Sequence, residues 1–237
     1  MFAGKTAMLI DKFKRYKLQE TVLLKHSCDT RYSNDYVVSR NGESFSATAV
    51  SELLCNGETM FGDRYKNLAV IGIDEGQFFP NIANCAHQWA LQGKNVIITA
   101  IKTGIYMEPI QAIAELAAIA DLETQLRTGC RHCAGLALFT YRKKPIDKLA
   151  AKNIKAFIGD GDEYIPLCRR CFHKRLNLEV SNGLGLFSNG EHEKSPRLLE
   201  LLQMNYNLVG EKKLEQNYIR TLVIFLLNLV FFSIFLI

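Results

Sequence analysis

Short continuous apolar runs alternate with stretches of helical periodicity through the first half of the chain. The apolar runs have the length and composition of strands buried on both faces, and they cover residues 21–24, 68–73 and 95–101. Apolar residues at helical spacing cover residues 5–17, 82–92 and 109–120. Because strands that alternate with helices are typical of parallel βαβ units, we expect an open α/β sheet.

The pattern becomes less regular outside these elements. Residues 26–43 are polar and predict a loop, whereas residues 48–54 predict a short helix. After Leu126 the strand-like pieces are shorter, at residues 136–141 and 154–158, and they lie between two C-x-x-C pairs. We therefore divide the chain into an α/β domain over residues 1–126, a small metal-stapled module over residues 127–181, and a linker with an apolar tail over residues 182–237.

The last part of the chain changes from polar to apolar. Residues 182–195 are rich in Gly, Ser and Asn and predict a linker, and residues 196–208 predict a weak helix. Residues 222–237 are almost entirely apolar, and with residues 218–221 they approach the roughly 20 residues that span a bilayer. Three interpretations follow: a C-terminal membrane anchor, a buried helix, or sequence foreign to the functional protein.

Composition narrows the class of protein. Of 237 residues, 48% are hydrophobic, which is enough for a sizeable core, and the net charge of +5 suits either a phosphate-bearing ligand or an ordinary soluble protein. The seven cysteines are an odd number and include two C-x-x-C pairs. This pattern argues against a secreted disulfide scaffold and favours a reducing compartment and a metal site. We expect a cytoplasmic protein, with a tail-anchored membrane protein as the alternative.

The chain opens on a phosphate-binding signature. Gly4-Lys5-Thr6 has the form of the second half of the loop G-x-x-x-x-G-K-[ST], which lies between a strand and a helix. In such a loop backbone N–H groups bind phosphate, the lysine reaches the β and γ phosphates, and the hydroxyl binds Mg²⁺. The first glycine and the feeding strand would precede Met1, so we expect a P-loop sheet truncated by its first strand. The alternative is a helix that merely begins with small and charged residues.

A second signature follows an apolar strand. Asp74 and Glu75 come directly after the run at residues 68–73, at the carboxyl edge where open α/β sheets bind ligands. One acid at this position supports Mg²⁺ in P-loop enzymes, so Asp74 is the predicted magnesium partner and Glu75 is available for a hydroxyl. The alternative is a pair of solvated carboxylates at a strand end.

The cysteine pairs form the third signature. Cys130 and Cys133 make one C-x-x-C pair, and Cys168 and Cys171 make the other. Four thiolates at this spacing favour tetrahedral Zn²⁺ in a structural role, because no coordination position is left open for catalysis. The gap between the pairs is longer than in a minimal zinc ribbon.

Together these residues resemble the zinc-containing cytosolic thymidine kinases over about residues 1–175. Met1 to Thr6 resembles the end of that family's phosphate-binding loop, and Asp29-Thr30-Arg31-Tyr32 resembles its arginine motif. Residues 71–80, Ile-Gly-Ile-Asp-Glu-Gly-Gln-Phe-Phe-Pro, resemble its acidic motif. Both cysteine pairs fall in the family's order, and Tyr164 matches the tyrosine of the lasso, the family's thymine-enclosing loop.

The resemblance implies transfer of the ATP γ-phosphate to the 5′-hydroxyl of thymidine, for nucleoside salvage. Glu75 acts as general base, Arg31 stabilises the transferring phosphoryl group, and Lys5 contacts the phosphates. Phe78 packs near the base, and residues 155–159 with Tyr164 enclose it. The implied cofactors are ATP, Mg²⁺ and structural Zn²⁺, and the implied assembly is a homotetramer.

The implied site falls into three sets. The residues for ATP and Mg²⁺ are Met1, Phe2, Ala3, Gly4, Lys5, Thr6, Asp29, Thr30, Arg31, Asp74, Glu75, Gly76 and Gln77. The residues for the nucleoside are Phe78, Ile105, Lys155, Ala156, Phe157, Ile158, Gly159 and Tyr164. The residues for zinc are Cys130, Cys133, Cys168 and Cys171.

Three positions depart from the family's pattern. Ile105 replaces a phenylalanine expected to stack on the base, Lys102 replaces an acid, and Asp160 replaces a second lasso glycine. Ile105 offers apolar area without an aromatic face. Two other functions therefore stay open: a weak or inactive relative that serves as a binding or assembly partner, and a zinc-dependent nucleic-acid-binding protein. The second rests on basic stretches at residues 142–144 and 169–175, which equally describe a solvated surface, and we expect no nucleic-acid partner.

Overall fold

A computed structural model describes residues 2–105, 107–143, 158–159, 161–181 and 232–236, with the backbone alone for residues 177–181 and 232–236. The helices are α1 (Lys5–Phe13), α2 (Gly57–Phe61), α3 (Ile82–Leu91), α4 (Gln111–Ile119) and α5 (Arg169–Ser181). The strands are β1 (Thr21–His26), β2 (Tyr36–Val38), β3 (Ser44–Ser46), β4 (Thr48–Val50), β5 (Val70–Ile73), β6 (Asn95–Ile101), β7 (Leu122–Leu126), β8 (Thr128–Gly129), β9 (Leu136–Ala137), β10 (Phe139–Arg142), β11 (Tyr164–Leu167) and β12 (Phe232–Leu236).

The central sheet has the strand order β4-β1-β5-β6-β12-β7. Strands β4, β1, β5 and β6 are mutually parallel, whereas β12 is antiparallel to both of its neighbours. The predicted fold class is thus confirmed: a mixed α/β fold built on a parallel sheet. The carboxyl ends of β1, β5 and β6 lie side by side at one edge, because parallel strands in close register end together.

Helices cover both faces of the sheet. On one face α3 and α4 bury Trp89, Ile82 and Leu116 against β5 and β6. On the other face α1 buries Leu9, Ile10 and Phe13 against a second apolar cluster. A Cβ at Gly72 would lie 2.2 Å from Cζ of Phe13, so only glycine lets α1 approach the sheet this closely.

Most of the predicted elements are observed, with small shifts of their ends. The strand over residues 95–101 is observed with those bounds, and the helix over residues 5–17 ends at Phe13. The helix predicted over residues 48–54 is wrong: residues 48–50 form β4 and pair in parallel with β1. Pairing with the edge of a neighbouring strand decides the secondary structure of such short segments, because isolated helices of this length are marginal in water. The predicted loop over residues 26–43 also contains β2.

At the residues that the structure describes, the apolar tail differs from the two helical interpretations, the membrane anchor and the buried helix. Residues 232–236 form β12 inside the central sheet rather than part of a helix. The interpretation as sequence foreign to the functional protein stays a prediction. No helix in the described ranges is long and apolar enough to cross a membrane. Residues 196–208 and 222–231, on which the other tail predictions fall, lie outside the described residues.

The smaller second unit combines the hairpins β8–β9 and β10–β11 with α5. Its core is a compact aromatic and aliphatic cluster around Phe139, Tyr141 and Phe172. The strand predicted over residues 136–141 is observed as β9 and β10, whereas most of the piece at residues 154–158 lies outside the described part of the chain. The division at residue 126 stays a prediction.

One bond was not anticipated from the cysteine count. Cys55 and Cys85 form a disulfide with their Cα atoms 4.1 Å apart, which joins the segment before α2 to α3. Cys28 and the four C-x-x-C cysteines are not part of any disulfide. The odd count and the C-x-x-C pattern pointed away from disulfides, and only the packing of α3 brings these two thiols together.

Candidate active site

Asp74 lies at the carboxyl edge of the sheet, immediately after β5. It is 7% exposed, and hydroxyl groups contact it from two sides. The Thr6 Oγ1 on α1 lies 3.4 and 3.3 Å from the two Asp74 carboxylate oxygens, and the Thr99 Oγ1 on β6 donates a hydrogen bond to Oδ1. The structure thus brings the second half of the predicted phosphate loop next to the predicted magnesium partner, although the two are 68 residues apart in sequence.

Glu75 has an unusual backbone conformation that aims its side chain. Its φ of 52° and ψ of 51° lie in the left-handed region, which is costly for a residue with a Cβ. Its N–H donates to Thr99 Oγ1 at 3.3 Å, and its Oε2 accepts from Gln77 Nε2 at 2.6 Å. Gln77 is in turn held by the backbone, since its Oε1 accepts from the Ile101 N–H at 3.2 Å. The carboxylate of Glu75 is therefore fixed by the ends of β5 and β6.

Arg31 connects three parts of the site. Its guanidinium donates to both carboxylate oxygens of Asp29, from Nε at 2.7 Å and from Nη2 at 2.6 Å. Nη1 donates to the Gly159 carbonyl at 2.9 Å, and Nη2 lies 3.6 Å from Glu75 Oε1. Because the Asp29 contact is bidentate, the planar guanidinium is held in one orientation. Thr30, from the same predicted motif, is exposed in the turn after β1.

The charges at this edge move the pKa values of the two acids in opposite directions. Burial, with the neighbouring charge of Glu75, raises the pKa of Asp74 to about 6. Burial also opposes ionisation of Glu75, but the positive charges of Lys5 and Arg31 outweigh it and lower the pKa of Glu75 to about 2. Burial disfavours the charge of Arg31 too, yet its hydrogen bonds to Asp29 and the charge of Glu75 raise its pKa.

The residues of the predicted phosphate loop line a cavity of about 300 Å³ beside these acids. Gly4 has a φ of 81°, in the region that favours glycine, and no side chain caps the α1 helix that begins at Lys5. The N-terminal N–H groups and dipole of such a helix favour an anion. The cavity wall also includes Phe2, Ala3, Lys5, Thr6, Asp29, Arg31, Asp74 and Glu75. Met1 lies outside the described residues.

The residues predicted for the nucleoside are only partly described. Phe78 is 9% exposed, with its ring centroid 6.0 Å from that of His26. Tyr164 is buried on β11, where its Oη accepts from Arg142 Nη1 at 2.6 Å. Gly159 is buried, and a Cβ there would lie 2.8 Å from the Tyr164 ring. The buried Gly76 precedes Phe78 in the same turn.

The structure gives fewer contacts for the other residues that were predicted for the nucleoside. Ile158 and Ile105 are half-buried, and Ile105 lies in the loop between β6 and α4 that is closed by the bridge from Thr103 to Pro109. Lys155, Ala156 and Phe157 lie outside the described residues, as does the departure at Asp160.

The four cysteines converge as predicted. Their Sγ atoms all lie within 4.8 Å of one another, and the Sγ atoms of Cys133 and Cys168 are 3.6 Å apart. Tetrahedral zinc with Zn–S bonds of about 2.3 Å places its sulfurs roughly 3.8 Å apart, so the donor set fits Zn²⁺. Cys130 and Cys133 lie in the turn of the β8–β9 hairpin, whereas Cys168 and Cys171 lie at the start of α5. Backbone N–H groups of Gly135 and Cys171 approach the sulfurs of Cys133 and Cys168 at 3.4 and 3.5 Å.

Part of the basic stretch beside these cysteines serves the packing of the small unit. The Arg169 guanidinium lies 4.9 Å from the Phe139 ring centroid, and that of Arg175 lies 5.7 Å from the Tyr141 ring centroid. These two residues therefore pack on aromatic faces. The absence of a nucleic-acid partner stays a prediction.

Sequence reasoning missed two basic residues at the site. Lys25 is buried within β1, where Nζ donates to the Ser33 carbonyl at 2.6 Å and so holds the chain after the arginine motif. Burial lowers its pKa. The sequence signal for Lys25 was a charged residue inside a strand. In the structure every residue of that strand is buried. Arg40, whose guanidinium lies 3.5 Å from the Phe2 ring centroid, carries no comparable sequence signal.

The fold and the candidate site define the class of this protein. It is an α/β protein with acids at the carboxyl edge of a parallel sheet and a four-cysteine cluster that could hold a metal. Comparison with known proteins identifies the family, since a family model for thymidine kinase matches residues 1–172. Thymidine kinase 1 of Dictyostelium discoideum is 32% identical over 213 residues, which cover 87% of this chain and 89% of that protein. A thymidine kinase of Bacteroides thetaiotaomicron is 35% identical over 179 residues, or 73% of this chain and 82% of that protein. This chain belongs to the thymidine kinase family.

A plant relative gives the same result. Thymidine kinase a of Arabidopsis thaliana is 34% identical over 173 residues, which cover 72% of this chain and 70% of that protein. The similarity to relatives from an amoeba, a bacterium and a plant supports a kinase activity for this chain.

Proposed function

We propose that this protein transfers the γ-phosphate of ATP to the 5′-hydroxyl of thymidine. The observation that carries the proposal is the meeting of Thr6, Asp74, Glu75 and Arg31 around one cavity, in a chain of the thymidine kinase family. Phosphoryl transfer depends mainly on positioning and on stabilising charge, and these residues supply both.

The loop residues bind the phosphates. Residues at the start of α1 line the cavity, and Lys5 places a positive charge beside the acids. Thr6 and Asp74 are the residues that would hold Mg²⁺, because hydroxyl and carboxylate oxygens are its preferred ligands. A magnesium ion bound there would neutralise charge on the β and γ phosphates. Asp29 contributes indirectly, since it orients Arg31 rather than the nucleotide.

Glu75 orients the attacking hydroxyl and accepts its proton. Its low pKa makes it a weak base, which is sufficient when the transition state is loose and the proton leaves late. Arg31 has two roles that follow from its position: it keeps Glu75 ionised, and it offers positive charge to the phosphoryl group in flight. A bidentate anchor on Asp29 means that little reorganisation is needed during the reaction.

The nucleoside is proposed to lie against Phe78 and below the segment that contains Gly159 and Tyr164. Arg31 donates to the Gly159 carbonyl, so the phosphate side and the nucleoside side of the site share one residue. We include Ile105, Ile158 and residues 155–157 in this wall. Ile105 supplies apolar contact without stacking, so we propose weaker binding of the base than an aromatic residue would give.

Zinc is proposed to fix the nucleoside side of the site. Cys168 directly follows β11, the strand that carries Tyr164. A metal held by all four thiolates joins the start of α5 to the β8–β9 turn, and thereby fixes the end of β11. This role is structural, because four sulfur ligands leave no position for substrate. We also propose that the protein is cytoplasmic and that it forms a homotetramer. Sedimentation of the purified protein would test the tetramer.

The experiment is phosphate transfer from radiolabelled ATP to thymidine with Mg²⁺ present. We expect transfer by the natural chain and a loss of about 10²–10⁴-fold in kcat for Glu75→Gln, since the amide cannot accept the proton. The matched control is Glu52→Gln at an exposed position, which should retain full activity. Zinc-loaded, folded protein that binds thymidine and ATP without transferring phosphate would overturn the proposal and favour an inactive relative.

A further inference from the structure

The turn between β2 and β3 brings a charged side chain to the wall of the cavity. Arg40 and Asn41 are the central residues of this turn, which the Gly42 N–H closes by donating to the Ser39 carbonyl at 3.1 Å. Gly42 has a φ of 85°, in the region that favours glycine. Arg40 and Asn41 both line the cavity, together with residues of the predicted phosphate loop. The turn is therefore part of the candidate active site, although it lies outside every motif that predicted the site.

The hairpin that carries this turn is fixed to α1. Val37 on β2 is buried in one apolar cluster with residues of α1. The Phe45 ring on β3 packs edge-on against the Phe13 ring of α1, with the ring centroids 5.5 Å apart. Glu43, directly before β3, forms an ion pair of 3.0 Å with Lys14 at the end of the helix. Because the hairpin rests on α1, the turn has a defined position relative to the helix that follows the predicted phosphate loop.

The Arg40 side chain lies against that loop and leaves its hydrogen-bond donors accessible. Its Cζ is 3.5 Å from the Phe2 ring centroid, which is the distance of a stacked pair. The N–H groups of a guanidinium lie in its own plane, so stacking on a ring leaves them available to an acceptor. A Cβ at Gly161 would lie 3.8 Å from both Arg40 Nη2 and Phe2 Cζ. Arg40 therefore stands where the predicted phosphate loop meets the segment proposed to cover the nucleoside.

No acid compensates the charge of Arg40 among the residues that the structure describes. In the same wall Arg31 is held by both carboxylate oxygens of Asp29. The acid nearest to Arg40 along the chain, Glu43, pairs with Lys14 instead. Arg40 is exposed, and no hydrogen bond or ion pair joins it to another described residue. An arginine fixed at a cavity wall with its donors unused is suited to an anion that comes from outside the chain.

We propose that Arg40 is a further residue of the nucleotide site and that its guanidinium donates hydrogen bonds to the phosphate chain of ATP. The identity of the anion rests on the proposed function, which places a nucleoside triphosphate in this cavity. The planar fork of a guanidinium matches two phosphate oxygens at once. The charge of Arg31 is shared with Asp29 and Glu75, whereas that of Arg40 is available to the nucleotide alone. Arg40 thus contributes to the binding of ATP, while Arg31 serves the phosphoryl group in transfer.

ATP binding in the absence of thymidine tests the proposal without any turnover. We expect Arg40→Gln to weaken ATP binding at least about tenfold in isothermal titration, because a hydrogen bond to a charged phosphate is lost. Thymidine binding should stay unchanged. The matched control is Arg15→Gln, which removes an arginine beyond the other end of α1 in an exposed ion pair with Asp11. Equal ATP affinity in Arg40→Gln and the natural protein would overturn the proposal and leave the proposed function intact.

Two further measurements separate a phosphate contact from a role in packing. Added salt should weaken ATP binding more in the natural protein than in Arg40→Gln, because salt screens an exposed charge. Hydrogen exchange of α1 and β2 should be the same in both proteins. Faster exchange there, or an equal loss of thymidine binding, would show that Arg40 acts by supporting the cavity wall and would overturn the phosphate contact. ATP binding that depends on Arg40 in a protein without phosphate transfer would contradict only the proposed function.

Discussion

The acidic site and the four-cysteine cluster are assembled in opposite ways. The acidic site collects Thr6, Arg31, Asp74 and Thr99 from four separate parts of the chain at one edge of the sheet. The cysteine cluster takes its ligands from two short C-x-x-C segments beside a much smaller core. Long-range packing of the central sheet therefore holds the acidic site in place, whereas pairing within the small unit holds the cysteine cluster, since the Arg131 N–H donates to the Pro166 carbonyl at 2.9 Å.

This difference has an electrostatic counterpart. The sheet places the buried carboxylate of Asp74 next to that of Glu75, and burial with the charge of Glu75 raises the pKa of Asp74 although Lys5 and Arg31 act to lower it. A metal ion would supply the positive charge that stabilises the four thiolates of the cysteine cluster. The acidic site thus receives positive charge from Lys5 and Arg31 of the chain itself, whereas the cysteine cluster would receive it from a bound metal.

Loss of the metal should produce the largest effect. Cys168→Ser removes one thiolate, and zinc binding at such sites involves free energies on the order of 10 kcal/mol. We expect about one zinc per chain in the natural protein and none in the variant, by elemental analysis. Hydrogen exchange should increase throughout β8 to β11 while β1 and β5 stay protected. Cys28→Ser, outside the cluster, is the control. If Cys168→Ser bound as much zinc as the control Cys28→Ser, the cluster would not be the metal site.

Arg31→Lys tests whether a fixed guanidinium is needed at the acidic site. Lysine keeps the charge but loses the bidentate contact to Asp29 and the planar geometry. We expect kcat to fall by about 10³-fold with a much smaller change in the KM for thymidine, measured by steady-state kinetics. Arg15→Lys, whose exposed ion pair with Asp11 is remote from the cavity, should behave like the natural protein. A change confined to KM would assign Arg31 to substrate binding alone.

The cost of the buried acid predicts a pH-dependent difference in stability. The folded pKa of Asp74, about 6, lies above its ordinary value of 3.8, so the folded state holds this proton more tightly than the unfolded state does. Its contribution to stability is complete below pH 3.8 and is lost as the pH rises through about 6. In the absence of ligand, Asp74→Asn should therefore be more stable than the natural protein by up to about 3 kcal/mol at pH 8.

Urea unfolding of both proteins between pH 4 and 8, in buffer without Mg²⁺, measures this difference. The advantage of Asp74→Asn should shrink as the pH falls through 6 and should also shrink when Mg²⁺ is added to the natural protein. An advantage that is constant with pH would mean that the substitution acts through packing and not through ionisation.

Tyr164→Phe should have the smallest effect of the series. It removes the hydroxyl that accepts a hydrogen bond from Arg142 at 2.6 Å, a loss of about 1.5 kcal/mol for a contact to a charged donor. We expect up to about tenfold weaker thymidine binding with unchanged ATP binding, measured by isothermal titration. Tyr16→Phe at an exposed position controls for the loss of a phenol. Weakened ATP binding would place Tyr164 on the other side of the cavity.

Several features could be predicted because they depend on local sequence. The strand over residues 95–101 is a continuous apolar run, and the cysteine pairs carry their own spacing rule. The approach of Thr6 to Asp74 could be predicted as well, since phosphate loops and strand-end acids meet at one sheet edge. The β4 strand and the Cys55–Cys85 bond could not be predicted, because both are decided by neighbours distant in sequence.

Residue type and spacing alone predict the α/β class, the acidic pair and the four cysteines of the candidate metal site, because each depends on short-range chemistry. The motifs that these residues form resemble the family to which the chain belongs. Tertiary structure decides the rest: the bidentate Asp29 contact that orients Arg31, the left-handed backbone of Glu75, the opposite pKa shifts of the two acids, and the place of residues 232–236 in the sheet. These features arise from contacts between residues far apart in the chain, and only packing of the whole sheet brings such residues together.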